Sequence, residues 1–320
     1  MTLTVACQMD PLDKINIAGD STFALMLKAQ ARGHRLFYYP PEALNYSDGR
    51  VWAKAWPVEV RANPDDHFTL GDPVNLDLGE EADVVLMRQD PPFDLGYITA
   101  THILERISDR TVILNEPAQV RNAPEKMFVL DYARYMPPTL ITRSYDEARA
   151  FLDTHGSIVV KPLHGNGGKA IFKIDSDGQN LSSLIEVFNN AYREPHMVQA
   201  FLPDIAKGDK RIVLVDGEVA GAINRLPGKG EIRSNLAVGG SAEKTELTET
   251  EREICAAMGP ELKKRGLIFV GIDVIGGKWL TEINVTSPTG IVAIDKFNGT
   301  DSSGMIWDAV ERRVGELTTR

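Results

Sequence analysis

The first third of the chain alternates short apolar runs with amphipathic helical stretches, and this order constrains the fold more than any other feature of the sequence. Leu3 to Ala6 reads as an apolar strand. Asp20 or Ser21 then caps a helix whose apolar face is Phe23, Met26, Leu27 and Ala31, closed by Gly33. Arg35 to Tyr39, Val84 to Met87 and Val112 to Leu114 read as further strands, with a short helix from Ile98 to Arg106. Strand–helix–strand order joins parallel strands through helical crossovers, so an α/β unit with a parallel sheet is expected. Ligands of such sheets sit beyond the carboxyl ends of the strands. Asp10, Asp20, Arg88 and Asp90 each follow or neighbour such an end.

The texture changes near Arg121. Thr139 to Thr142 and Ser157 to Val160 are short strands flanking a helix from Asp146 to Thr154. Ala170 to Ile174 is a strand, Leu181 to Tyr192 a helix, and Met197 to Leu202 a strand that stops at Pro203. Arg211 to Val215 and Glu218 to Ala222 form a hairpin around Asp216-Gly217, a turn pair that tolerates positive φ. Thr250 to Arg265 is a helix with Glu early and Lys and Arg late, as its macrodipole favours. Leu267 to Ile275 and Trp279 to Asn284 are strands joined by Gly276-Gly277, and Gly304 to Leu317 is a closing helix. No internal repeat or low-complexity tract interrupts this order.

A chain of 320 residues with 43% hydrophobic and 25% charged residues has enough material for two or three cores. Its net charge of -10 argues against a nucleic-acid or anionic-membrane partner, which would need clustered positive charge. Cys7 and Cys255 are the only cysteines, too few and too far apart for a disulfide framework, so a reducing cytoplasm is expected. The histidines show no metal-ligand spacing. Nothing approaches the ~20 apolar residues of a membrane span, and Met1 to Asp10 lacks the basic start of a leader.

The segment Thr281-Glu282-Ile283-Asn284-Val285-Thr286-Ser287-Pro288 carries the first sign of chemistry. Glu282 and Asn284 are two apart in a strand, so they share a face, with Ile283 turned the other way. A carboxylate beside an amide oxygen suits Mg²⁺, and Asp273 on the preceding strand can join them; alone, the pair is equally a solvated strand face. Val159-Val160-Lys161-Pro162 is followed by Gly165-Asn166-Gly167-Gly168-Lys169, a lysine ending a buried strand before a glycine loop. Glycines let backbone approach phosphates while the lysine supplies charge, although a plain hairpin turn has the same texture. Lys126 near a helix start and Arg211 opening a strand offer further cations. Pro227 to Lys244, with Arg233, Asn235 and Gly239-Gly240, has no period and reads as a lid or a linker.

In this order the features resemble the ATP-grasp superfamily, and within it the bacterial glutathione synthetases, over nearly the whole chain. The resemblance rests on Asp20 to Phe23, Met87 to Phe93, Glu125-Lys126, Lys161 to Leu163, Gly208 to Arg211, Asn235-Leu236-Ala237 with Gly239-Gly240, Gly266 to Asp273 and Thr281 to Pro288. His164 departs from it, because an acidic residue belongs there in the family, and the lid differs around Ser241 to Lys244. The resemblance implies a Rossmann-like N-terminal domain over 1–122, an ATP-grasp small subdomain with the glycine loop over 123–203, and a C-terminal ATP-grasp subdomain over 204–320 that carries a catalytic loop at 227–244.

The implied reaction phosphorylates the cysteinyl carboxylate of γ-glutamylcysteine with ATP, after which glycine displaces phosphate to give glutathione. By the same resemblance Asp273, Glu282 and Asn284 hold two Mg²⁺ ions, with Mn²⁺ an alternative. Lys126, Lys161, Asp209, Gly165, Asn166, Gly167 and Gly168 serve ATP, and Gln199, Ala200, Phe201 and Leu202 form the hinge at adenine. Arg211, Arg233 and Asn235 are the implied catalytic set; Asp20, Ser21 and Arg88 face the dipeptide; Ser287, Pro288 and Thr289 face glycine. A homotetramer or homodimer is implied too. Another ATP-grasp ligase, one joining D-alanines or adding an amino acid to a protein terminus, shares nearly all of this chemistry. A non-catalytic ATP-binding module shares less, since it has no need of a full metal site.

Overall fold

A computed structural model describes residues 1–165, 167–235 and 239–319. β1 (Thr4–Gln8) leads through α1 (Ser21–Ala31) to β2 (Arg35–Tyr39), which pairs with it in parallel. β3 (Leu44–Ser47), β4 (Arg50–Val60), β5 (Phe68–Leu70) and β6 (Val74–Asp77) then add an antiparallel extension beyond β2. The chain returns to the other side of β1 as β7 (Val84–Met87), and α2 (Leu95–Leu104) carries it to β8 (Val112–Leu114). The parallel centre is the one expected; the extension is not. Because the chain moves to one side of β1 and then to the other, the gap beyond β1 and β7 is the switch point where such sheets hold ligands.

Asp20 is the cap of α1, its carboxylate accepting from the Phe23 N–H at 2.6 Å. The buried face is Phe23, Leu25, Met26 and Ala29, whereas Leu27 is half-buried and Ala31 exposed. The expected stripe is therefore displaced, because this helix is covered by a second helix as well as by the sheet.

Two short helices, α3 (Pro117–Arg121) and α4 (Glu125–Phe128), lead into the second sheet. β9 (Thr139–Thr142), α5 (Tyr145–His155), β10 (Ile158–Pro162), β11 (Phe172–Ile174), α6 (Leu181–Ala191) and β12 (His196–Ala200) give the antiparallel order β11-β10-β12-β9. Ile158 and Val160 of β10 pack on Leu152, Leu184 and Phe188 of the helices. Val159 and Lys161 alternate to the opposite face.

The third sheet is β15-β14-β13-β16-β17, built from β13 (Asp209–Val215), β14 (Glu218–Leu226), β15 (Ser241–Lys244), β16 (Phe269–Ile275) and β17 (Trp279–Asn284). The stretch expected to be a loop over 227–244 is shorter, because Ser241 and Ala242 pair with Leu226 and Arg225. α7 (Glu249–Lys264) begins at a capping box in which Thr248 and Glu251 satisfy each other's backbone N–H. α8 (Ile291–Asn298) and α9 (Ser302–Thr318) close the chain, and α9 packs back on α1 and β8. Trp307 is 0% exposed and its indole N–H donates to the Leu25 carbonyl at 2.9 Å. One core cluster accordingly joins Val5 and Leu25 to Val213, Ile268 and Trp307. No helix among the described residues is long and apolar enough to cross a membrane.

Candidate active site

A cleft opens between the second and third sheets. Val159, Lys161 and Gln199 line it from β10 and β12, with Ala200, Phe201 and Leu202 following on. Asp209, Asp273, Thr281 and Glu282 line the facing wall. The glycine loop contributes Gly165, Gly167 and Gly168, and the 227–240 loop contributes Arg233 and Asn235. The two loops meet: a Cβ on Gly168, whose φ is +75°, would stand 2.6 Å from Asn235 Oδ1. Asn166, along with Leu236 to Val238 in the second loop, lies outside the described residues.

Two carboxylates dominate the cleft, each held by two cations. Glu282 Oε1 lies 3.3 Å from Lys126 Nζ and 3.7 Å from Lys161 Nζ. Lys126 also donates to the Gly165 carbonyl at 2.7 Å, so one ammonium ties α4, β17 and the glycine loop together. Burial opposes ionisation of Glu282, yet the two lysines prevail and lower its pKa. Burial pulls the Lys161 ammonium down to about 8, only partly offset by Glu282. Asp273 lies directly across from Glu282 in the β16–β17 register, and Arg211 directly across from Asp273 on β13. Arg211 grips Asp273 with Nε at 2.6 Å and Nη2 at 3.0 Å, and Arg225 adds a contact at 3.1 Å. Burial works against the Asp273 anion, but these guanidiniums hold its carboxyl far below the usual range.

Asn284 spends its amide N–H on the Gly271 carbonyl at 3.3 Å, which turns its oxygen away from that partner. Asp273, Glu282 and Asn284 are all hard oxygen donors and fit a divalent cation of the Mg²⁺ type. Among the described residues no group of three or more His, Cys, Asp or Glu side chains forms a ready cage. A site built from two carboxylates and an amide must therefore complete its shell with phosphate oxygens and water.

The residues assigned to dipeptide and to glycine do not form two separate groups. Arg88 is 3% exposed; its Nε donates to Thr22 Oγ1 at 3.1 Å and its Nη2 to the Pro288 carbonyl at 2.8 Å. Ser287 Oγ donates to the Arg88 carbonyl at 3.1 Å, and the Gly290 N–H donates to Ser21 Oγ at 3.2 Å. Arg211 Nη1 reaches the Thr289 carbonyl at 3.2 Å. The Ser287 to Thr289 turn is thus clamped between Arg88 of the first sheet and Arg211 of the third.

Sequence reasoning missed Arg225 and gave Glu125 no role. Arg225 chelates Asp209 with two contacts of 2.7 Å while touching Asp273. Burial, with Glu282 nearby and despite Lys126, pushes the Glu125 carboxyl up to about 7. The proline before it and the short helix after it gave no warning of that burial. His164 stacks on Phe93, with ring centroids 5.9 Å apart and planes at 24°, at a wall shared with Glu125 and Thr286.

Residues 3–121 match the N-terminal domain of prokaryotic glutathione synthetase, and residues 125–299 match the ATP-grasp domain of prokaryotic glutathione synthetase. The chain belongs to the prokaryotic glutathione synthetase family. A glutathione synthetase of Rhodopseudomonas palustris is 56% identical over 98% of this chain and 99% of its own. One from Bradyrhizobium diazoefficiens is 55% identical, again over 98% and 99%. A D-cycloserine synthetase superposes with a TM-score of 0.67 at 15% identity, covering 98% of this chain and 99% of that one, which establishes the shared fold. Family membership makes this chain an ATP-dependent ligase that works with a divalent metal ion.

Proposed function

We infer that this chain joins glycine to γ-glutamylcysteine with ATP, giving glutathione, ADP and phosphate. The observation that supports this most is the set of charges Lys126, Glu282, Lys161 and Asp273 on the walls of the cleft, with Arg211 and Arg225 holding Asp273 from behind. Such a set holds four cations against two carboxylates, so it carries positive charge to spare for phosphate and can turn its carboxylates toward metal.

Adenine lies against the Gln199 to Leu202 strand end, between Val159, Ile171 and Ile275. Lys126 and Lys161 bind the phosphates, and Gly165 to Gly168 closes over them. Asp273, Glu282 and Asn284 would hold the divalent ions, two Mg²⁺ with Mn²⁺ as alternative, which would supply neutralisation of phosphate charge. Asp209 positions Arg225, and Arg225 with Arg211 receives the cysteinyl carboxylate.

A carboxylate oxygen attacks the terminal phosphorus of ATP, and the P–O bond to ADP breaks. The glycine nitrogen then adds to the acyl carbon, loses a proton, and phosphate departs with the C–O bonding pair. Arg211 and Arg225 stabilise the charge that gathers on oxygen in both steps. An acyl phosphate hydrolyses readily, so the 227–240 loop with Arg233 and Asn235 excludes water. Arg88, Asp20 and Ser21 hold the dipeptide, and Ser287 to Thr289 present the glycine side. The chain works in the cytoplasm as a homotetramer or homodimer, with its parts divided at 1–122, 123–203 and 204–320.

ADP release tests the reading. With γ-glutamylcysteine and Mg²⁺ present, turnover should depend on glycine and should drop sharply with other amines. Turnover that ignores glycine refutes it.

A further inference from the structure

Phe93 and His164 meet between the dipeptide side and the phosphate side of the molecule, in a contact that no step of the reaction employs. Their rings lie 5.9 Å apart with planes at 24°, a stacked pair. Phe93 belongs to the connection between β7 and α2, and His164 immediately precedes Gly165 of the glycine loop. The first connection is anchored at both ends. Arg88 donates to the Pro288 carbonyl at 2.8 Å, and the Arg88 carbonyl accepts from Ser287 Oγ at 3.1 Å. Asp94 caps α2 by accepting the Tyr97 N–H at 3.0 Å. Between these anchors Pro91 and Pro92 fix φ at two successive positions, which stiffens the path from Arg88 to Phe93. On the other side Lys126 donates to the Gly165 carbonyl at 2.7 Å, where the phosphates are read to bind.

Little else fixes either segment. Among the described residues no backbone–backbone hydrogen bond holds 89–93 or 163–165. His164 is exposed, and a hollow lies on each side of it. Phe93, Glu125 and Thr286 line one; Tyr192, Glu194 and Pro195 line the other. The imidazole therefore has somewhere to go when it leaves Phe93. The cover it does have lowers its pKa; Glu194 opposes this and Lys126 adds to it. At pH 7.5 the ring is accordingly neutral and stacks without giving up the hydration of a charge.

A single aromatic pair changes an equilibrium constant by a factor of about 2 to 10, enough to bias a loop and too little to lock it. We propose that the Phe93–His164 stack couples the two substrates: dipeptide bound beside Arg88 fixes the connection that carries Phe93, the stack passes that order to the start of the glycine loop, and ATP then binds with less left to order. Phe93 and His164 are positioning residues, since neither touches a reacting atom. The coupling is reciprocal, so ATP tightens the dipeptide by the same factor. It rests on the dipeptide reading above. It also gives a role to the departure at His164, because the acidic side chain expected there by resemblance has no ring to stack.

Calorimetric titration reads the coupling directly. The β,γ-imido analogue of ATP is titrated with Mg²⁺ at pH 7.5, with and without saturating γ-glutamylcysteine, and with glycine omitted so that nothing turns over. In the wild type the dipeptide should tighten the nucleotide by roughly 2- to 10-fold, and the nucleotide should tighten the dipeptide equally. His164→Asp should bring this ratio to unity, whereas His164→Phe, which restores a ring, should keep it. Phe93→Leu should match His164→Asp, and combining the two should lose nothing more. A purely structural contact would lower stability or nucleotide affinity in these variants and leave the ratio alone. A wild-type ratio of unity, a His164→Asp protein with the wild-type ratio, or a His164→Phe protein that loses it overturns the coupling. If Phe93→Leu fails to fold, the two His164 variants decide. A wild type that does not bind γ-glutamylcysteine sinks the dipeptide reading and the coupling with it; binding without effect on the nucleotide sinks the coupling alone.

Discussion

Lys161 is the residue on which the pH behaviour of the cleft turns. Its ammonium is buried and its pKa lies at about 8 in the empty protein, so it is largely charged at pH 7 and largely neutral at pH 9. Phosphate favours the charged form, so ATP raises this pKa and binding takes up a proton above pH 8. Affinity for Mg-ATP should therefore fall as pH rises through that value, by up to about tenfold per unit. Calorimetric titrations at pH 7 and pH 9, each in two buffers of different ionisation enthalpy, read both the affinity and the proton uptake. Lys161→Arg should remove the uptake, because a guanidinium does not titrate there. No proton uptake in the wild type would separate Lys161 from the phosphates.

Glu282 makes the complementary case. Glu282→Gln leaves Lys126 and Lys161 without the carboxylate they share, and breaking a buried pair of this kind costs about 3–5 kcal/mol. The empty variant should melt below the wild type and should be raised more by ATP, whose phosphates replace the missing anion. At limiting Mg²⁺ its ADP release should nearly vanish. Thermal unfolding with and without ATP checks the first point; an equal ATP response in the two proteins would refute the charge exchange. The shared face of Glu282 and Asn284 was legible from strand parity, but Asp273 comes opposite Glu282 only through a register shift between Asp273 and Val274, without which Thr281 would take that place.

At the scale of elements, parity fails where a bulge intervenes. Counting back from the Asp216-Gly217 turn places Asn224 opposite Asp209, but the register shifts by one near Val213 and Leu214, and Arg225 takes that place. The shift turns the Arg225 guanidinium onto Asp209 and Asp273. Nothing local announces the bulge, which is why this arginine escaped the sequence. The antiparallel extension escaped for a different reason. Val51, Ala53 and Ala55 of β4 alternate as a strand should, but small alanines and Pro57 blunt the signal. Glycines inside helices carry the opposite kind of information. Gly259 lies within α7, where alanine would ordinarily gain about 1 kcal/mol. A Cβ there would stand 2.4 Å from the Gly217 carbonyl oxygen of the hairpin turn. Gly259→Ala should therefore destabilise by about 1–3 kcal/mol, measured by urea unfolding. A gain in stability would mean that the helix does not rest on the turn.

The whole molecule is held by contacts that no local pattern contains. Trp307 donates its indole N–H to Leu25, 282 positions away, and its ring sits in a core shared by the first and third sheets. The ion pairs of Arg32 with Asp308 at 2.8 Å and Glu311 at 3.1 Å run along the same seam. The groups proposed for the dipeptide and glycine lie across this seam, since Ser21 and Arg88 come from one side and Ser287 to Gly290 from the other. The ATP cleft does not, because its walls belong to the second and third sheets. Weakening the seam should therefore separate the two substrates kinetically. Trp307→Ala would cost about 3–5 kcal/mol and risks unfolding the chain, so Trp307→Phe is the useful variant. It removes the indole donor, leaving the Leu25 carbonyl its intrahelical bond alone, and opens a gap where the larger ring stood. The expected result is a raised KM for the dipeptide and an unchanged KM for ATP, with a single cooperative urea transition at lower midpoint. If the KM for ATP rose first, or both rose together, the dipeptide site would not draw its geometry from α9, and the coupling between the two ends of the chain would be structural alone.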